Sequence, residues 1–361
     1  MSFRANEAFR PDSRNHSIVH PPAEFIRMIH TTSHLAVTFA IAAMLSGVAS
    51  AQTPIEVGKA TMHPDRARDV AAGFGALDAK VPNPIRINHV VHAYAVFTPS
   101  GDRLIYQSNA GGNWDLFSSK LDGTDVQRIT SNPAADITPM CSPDGKRLAF
   151  VSERAGSRDV FVSGLDGSNP NRLTTEDASD IHPFWSADGT RILFSSNRGK
   201  SDPNDFDIYE MNADGTGVRQ ITSGPEVDTY ASWSPDGSHI VTRRVINGDN
   251  EVFLLDPDGG NPVNLTNNPR TYDGWPVWSP DGSRIAFASG VPNSGTHYIF
   301  SMKPDGTDKV QLSAPLPWID WNYDTQPSFS FDGKRLAFTK YRPGMLEISD
   351  IFVIHLDQAA S

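Results

Sequence analysis

One short segment recurs six times and limits what this chain can fold into. The copies are Phe97-Thr-Pro-Ser-Gly101, Cys141-Ser-Pro-Asp-Gly145, Trp185-Ser-Ala-Asp-Gly189, Trp233-Ser-Pro-Asp-Gly237, Trp278-Ser-Pro-Asp-Gly282 and Phe329-Ser-Phe-Asp-Gly333. Their glycines are 44, 44, 48, 45 and 51 residues apart. An alternating apolar run follows each copy, as in Arg147-Leu-Ala-Phe150 and Arg284-Ile-Ala-Phe287. A second run comes next, such as Asp159-Val-Phe-Val162, then a second turn at Asp122-Gly123, Asp166-Gly167, Asp214-Gly215, Asp258-Gly259 and Asp305-Gly306. The unit closes on a short run ending Ile129-Thr130, Leu173-Thr174, Ile221-Thr222, Leu265-Thr266 or Leu312-Ser313.

Asp-Gly supplies the positive φ angles of tight hairpin turns, and β-branched and aromatic runs between such turns read as antiparallel strands. Each copy therefore predicts four strands: A into the first turn, B out of it, C into the second, D out of that. Four strands per 40–50 residues is the spacing of a propeller blade. The predicted fold is all-β, a six-bladed β-propeller of four-stranded antiparallel blades over residues 81–361. The aromatic residues before the turns, and Cys141 in their place, are expected in the core between blades. The last copy stops after Asp350-Ile-Phe-Val-Ile-His-Leu-Asp357 and lacks strand D. Val81-Pro-Asn-Pro-Ile-Arg86 stands one strand-D distance before Phe97, so this N-terminal strand is expected to complete the last blade and remove a free edge.

Residues 1–51 read as a signal peptide. The apolar run Leu35–Val48 has the length of a leader core and is short for a bilayer span; Ala49-Ser-Ala51 then predicts cleavage before Gln52. A start at Met28 leaves histidines but no Lys or Arg before the run; a start at Met1 brings Arg4, Arg10, Arg14 and Arg27 but unusual length. Residues 52–80 carry no repeat and read as a linker or arm, with a short helix expected over Pro64–Ala72. The protein is thus expected to be periplasmic or secreted, without a stable transmembrane span after cleavage, and monomeric.

The whole chain carries 31 Lys+Arg against 42 Asp+Glu, a formal charge of −11, which argues against nucleic acid as a partner. Cleavage would leave 27 basic and 39 acidic residues, net −12. A single cysteine, Cys141, excludes an internal disulfide and any zinc site built from several thiolates. An exported chain without disulfides needs a large ordinary core, which about 310 residues can supply.

The repeat of Trp-Ser-Pro-Asp-Gly, Arg-Ile-Ala-Phe, Asp-Ile-Tyr, Asp-Gly and Leu-Thr resembles the TolB-type, WD40-like propeller repeat over about residues 81–357. TolB is a periplasmic component of the Tol-Pal envelope system and carries an α/β domain before its propeller; only about 30 residues stand there in this chain after cleavage. Prolyl-oligopeptidase relatives join similar blades to a hydrolase domain. No Gly-x-Ser-x-Gly nucleophile elbow occurs here.

Propeller ligands usually sit where strand A begins. Five residues before each aromatic position stand His92, Asp136, Asp180, Asp228, Asp273 and Asp324, read either as structural caps or as an acidic ring that attracts calcium or another divalent cation. Two residues further on the copies differ: Tyr94, Thr138, His182, Tyr230, Trp275 and Gln326. If strand A lines the channel, these six ring its mouth and are the candidate binding residues for a protein, envelope component or saccharide. Arg154, Arg198 and Arg342 are expected to pair with Asp159, Asp207 and Asp350. The Asn-rich loops 109–113 and 247–250 are dense in oxygen but lack a calcium-loop spacing. No catalytic residue or required cofactor emerges. The favoured function is a protein- or ligand-binding scaffold working through the channel mouth. The alternative is a metal-dependent polysaccharide lyase or hydrolase at the same place, for which His182, His89, His92 and Gln326 would have to converge.

Overall fold

The computed structural model describes residues 55–57, 60–62 and 90–356, apart from 269, 292–295, 315–322 and 343–344. The signal peptide expected over residues 1–51, the helix expected over Pro64–Ala72 and the strand expected at 81–86 lie outside the described residues. Ile55–Val57 and Ala60–Met62 pair as a small antiparallel ladder. Among the described residues no helix is long and apolar enough to cross a membrane.

The rest is all-β and propeller-like, built from antiparallel sheets that follow the sequence copies. The first three copies each give a separate four-stranded sheet in the order A-B-C-D. Their A strands are His92–Phe97, Asp136–Cys141 and Asp180–Trp185. The A strands of the last three copies are Val227–Trp233, Tyr272–Trp278 and Tyr323–Phe329. These last sheets are linked by two short parallel pairings, Asn250↔Tyr272 and His297↔Tyr323.

Each Ser-Pro-Asp-Gly turn is held by the same local bonds. In the fourth copy the Ser234 hydroxyl donates to Asp236 at 2.6 Å, Asp236 accepts the Ser238 N–H at 3.0 Å, and Ser234 Oγ accepts the His239 N–H at 2.9 Å. Gly237 turns the chain at φ 71°, a left-handed conformation that glycine adopts without steric cost. The closing Thr of strand D has its own repeated task. Oγ1 of Thr130, Thr174, Thr222 and Thr266, and Oγ of Ser313, accept strand-C backbone N–H groups at 2.8–3.0 Å.

The aromatic position forms the core between sheets, as the repeat predicts. Trp185 packs on Ala149, Val160 and Leu173 of the preceding copy; Trp233 on Leu193, Ile208 and Ile221; Trp278 on Val241, Val252 and Leu265. Cys141 joins Ile105 and Leu116 of the first copy. Phe97 packs on Ala337 of the last. Strand B supplies a cation over several of these rings, with Arg147 4.5 Å from the Trp185 centroid and Arg191 4.6 Å from that of Trp233. Burial pushes the Cys141 thiol up to about 12.

Candidate functional site

The first candidate set divides by side-chain partner. Asp136, Asp180, Asp228, Asp273 and Asp324 are all buried. Arg154 donates to both oxygens of Asp136 at 2.9 Å, Arg198 to both of Asp180 at 3.1 Å, and Arg244 to both of Asp228 at 2.8 Å. Lys340 reaches Asp324 at 2.6 Å, and the Thr271 hydroxyl donates to Asp273 at 2.9 Å. These carboxylates tie strand A to its own strand B or to the incoming loop. The expected pairing of Arg154 with Asp159 and Arg198 with Asp207 is therefore corrected. Asp159 binds Arg172 at 2.9 Å and Asp207 binds Lys200 at 2.8 Å, because the Arg side chains project across the A–B ladder. The side chain of Arg342 lies outside the described residues.

His92, at the aspartate position of the first copy, sits edge-on to Tyr106 at 5.6 Å between ring centroids. Burial outweighs the nearby Asp350 charge and lowers its pKa. Among the described residues no three His, Cys, Asp or Glu side chains converge as metal ligands. His89 lies outside the described residues. In the Asn-rich loop 109–113, Asn109 Oδ1 accepts the Val91 N–H and Asn113 donates to the Asn132 carbonyl, both at 2.8 Å.

The second set comes together. Tyr94, Thr138, His182, Tyr230, Trp275 and Gln326 all line one cavity of about 110 Å³. All six hold φ between 49° and 59°. Each lies inside a register shift of its A–B ladder, a bulge that re-aims the side chain. Left-handed backbone costs a non-glycine residue about 1–2 kcal/mol, so neighbours must hold it. Two such supports come from the adjoining sheet. The Thr138 N–H donates to Gln107 Oε1 at 2.8 Å, and the Tyr94 N–H faces Thr339 Oγ1 and Gln326 Oε1 at 3.3 and 3.4 Å.

Three of the six meet across this cavity. The hydroxyls of Tyr94 and Tyr230, three copies apart, meet at 3.2 Å. The His182 ring stacks on Tyr230 at 3.8 Å between centroids, and Tyr94 lies 6.3 Å beyond His182. A separate cavity of about 210 Å³ lies nearer the turns, lined by Phe97, Trp185, Trp233, Trp278 and Phe329. Desolvation, and then the charges of Arg243 and Arg158, hold the His182 pKa well below its ordinary value. Its imidazole is neutral at pH 7, and its Nδ1 has no hydrogen-bond partner among the described residues. Burial also lifts the Tyr94 phenol well above its usual range.

Ring contacts extend this plate beyond the six. Trp275 touches Tyr230 and Tyr272, Tyr272 touches His297, His297 touches Tyr323, and Tyr323 touches Tyr341, with centroids 4.3–5.7 Å apart. The Arg243 guanidinium lies 5.0 Å from the Tyr230 centroid and donates to the Tyr272 hydroxyl at 2.7 Å. Sequence reasoning did not single out Tyr272, His297, Tyr323, Tyr341 or Arg243. One signal was present: Arg243-Arg244 replaces small or neutral pairs such as Val151-Ser152, Ser195-Ser196 and Ala288-Ser289. The arrangement is a mostly neutral aromatic surface with one guanidinium, suited to bind and orient a partner group.

The chain matches the TolB beta propeller domain model over residues 85–226 and 226–358. No curated protein matches it. It is similar to the putative TolB of Agrobacterium tumefaciens, with 19% identity, a TM-score of 0.56, and 74% of this chain and 90% of that one covered. It is also similar to TolB of Acinetobacter baumannii, with 17% identity, a TM-score of 0.54, and 80% and 69% covered. An oligogalacturonate lyase in complex with manganese is similar at 14% identity and a TM-score of 0.52, with 75% and 91% covered. At these identities the likeness to the solved structures is one of fold. The family model spans most of the sequence, and this chain belongs to the TolB β-propeller domain family.

Proposed function

We propose that this protein is an exported, six-bladed TolB-like propeller that binds a partner protein or envelope component through the mouth formed by Tyr94, Thr138, His182, Tyr230, Trp275 and Gln326. The observation that carries this reading is the contrast within that ring. All six residues share one left-handed backbone shape, and their side chains differ. A repeated scaffold with varied tips is what recognition needs, while a purely structural repeat has no use for the variation.

Contacts between the first and last copies support closure of the ring. Val91 forms a parallel bridge with Ser349, whose hydroxyl donates to the His92 carbonyl at 2.8 Å. Arg335 donates to the Gly101 carbonyl at 2.9 Å. Residues 81–86 would complete the last blade beside this contact. The leader-like residues 1–51, with the start at Met1 or Met28, support export to the periplasm or beyond. Recovery of partners from the native envelope tests the function. Wild-type protein retains a specific partner, and Trp275→Ala with His182→Ala loses it while keeping the far-ultraviolet spectrum of the fold. Full retention by the double variant contradicts the reading.

The metal-dependent lyase or hydrolase alternative draws its support from the manganese-bound lyase neighbour. Within the ring, His182 and Gln326 are its available donors. Metal analysis together with assays on pectic and other acidic saccharides after adding manganese tests it. Turnover lost in His182→Ala would establish it.

A further inference from the structure

We infer that the mouth takes up one carboxylate from an acidic side chain of a partner protein's loop, with Arg243 as its counter-ion. This rests on the mouth being the binding site and adds what is bound there. The neighbouring cations in strand B or just past its end, Arg154, Arg198, Arg244 and Lys340, each face a carboxylate of their own sheet, at 2.6–3.1 Å. Arg243 has no carboxylate partner among the described residues. Its Nη1 donates to the neutral Tyr272 hydroxyl, and its buried Nε donates to nothing among them. A half-buried guanidinium set among aromatic rings has lost water and gained no opposite charge. That imbalance is relieved when an anion arrives.

The geometry around Arg243 holds it ready. Its guanidinium lies over the Tyr230 ring, and Tyr230 lines the cavity. Gly274 makes room for it, since a Cβ there would stand 3.3 Å from Arg243 Cδ and 2.9 Å from Tyr272 Cε1. The planar fork of arginine suits two parallel bonds to one carboxylate. The cavity, about 110 Å³, is well below the ~300–1,000 Å³ that encloses a drug-sized molecule. It fits one inserted side chain better than a run of sugar rings. A polyuronate would also meet repulsion from a chain of net charge −11, which a loop with one acidic tip largely avoids.

The test uses the full chain and an array of Gly-Ser-flanked peptides differing at one central residue: Asp, Glu, Asn, Gln, Lys or Leu. Immobilised D-galacturonate oligomers form a separate arm. The Asp and Glu peptides are expected to be retained at least about tenfold more than their amides, the size of one charge-assisted bond over a neutral one. Arg243→Met removes that preference, and Arg243→Lys keeps part of it, both with unchanged melting temperature within a few degrees. Trp275→Ala weakens acid and amide peptides alike. Equal retention of acids and amides, retention of none, capture of galacturonate oligomers alone, or an acid preference that survives Arg243→Met overturns the proposal. If acids and amides bind equally and Trp275→Ala weakens both, the carboxylate claim falls while the mouth stands. If acidic peptides bind with no change in Trp275→Ala, the mouth reading falls as well.

Discussion

The two ends of the A strands are built on different principles. At the turn end the side chains repeat with the backbone: a Ser hydroxyl, an Asp carboxylate and a glycine at φ 69–71° recur in the copies starting at Cys141, Trp185, Trp233, Trp278 and Phe329. At the mouth end the backbone repeats just as faithfully, with six left-handed residues in six bulges, but the side chains run from Thr138 to Trp275. Where sequence and backbone repeat together, the repeated residues make the turn. Where the backbone repeats alone, it is held by residues elsewhere, such as Gln107 and Thr339, and the tip is free to vary. The second arrangement makes the backbone shape independent of the side chain at the tip.

The largest effect expected from breaking this contrast comes from the buried pair beneath the mouth. Asp228→Ala leaves Arg244 without its carboxylate in a buried site and should cost about 3–5 kcal/mol in chemical denaturation. At the turn end, Ser234→Ala removes one local donor and acceptor and should cost about 1 kcal/mol by the same measurement. Equal costs would mean that the mouth end is no more dependent on buried support than the turn.

Acid separates the two ends by pH. Burial lowers the pKa of His182 and takes that of His297 down to about 4, so the unfolded chain binds protons that the native chain refuses once pH falls below about 6.5. Stability at the mouth end is full above that pH and declines toward pH 4. The turn carboxylates are shifted in the same direction but in a lower pH window. Their Ser and Thr donors hold Asp188 and Asp236 at about 2, so their contribution is present above about 3.9 and lost between there and 2. Melting curves across pH should show His182→Gln and His297→Gln flattening the upper limb. Asp236→Asn should alter the lower limb alone, and by less, because that carboxylate is exposed.

The strands, both turns, the inter-sheet aromatics and the varied ring were legible in sequence because each recurs at a fixed offset within one copy. What stayed hidden depends on where side chains in and just after strand B turn. Arg154 and Arg198 cross back to Asp136 and Asp180, whereas Arg243, one residue before Arg244, faces Tyr272 of the next sheet. Alternation along a strand tells that the two faces differ, but not what the neighbouring sheet places opposite. Tyr272, His297, Tyr323 and Tyr341 were missed for the same reason: each sits in a loop-proximal position that no single copy marks, and they form a belt only once sheets stand side by side.

The most direct measurement is site-specific photocrosslinking in the native envelope, with the photoreactive residue placed either at Trp275 in the mouth or at Phe331, which is exposed at the turn end. Partner adducts from position 275 and none from 331 are predicted. Adducts from 331 with none from 275 would move recognition to the opposite end of the strands and contradict the account.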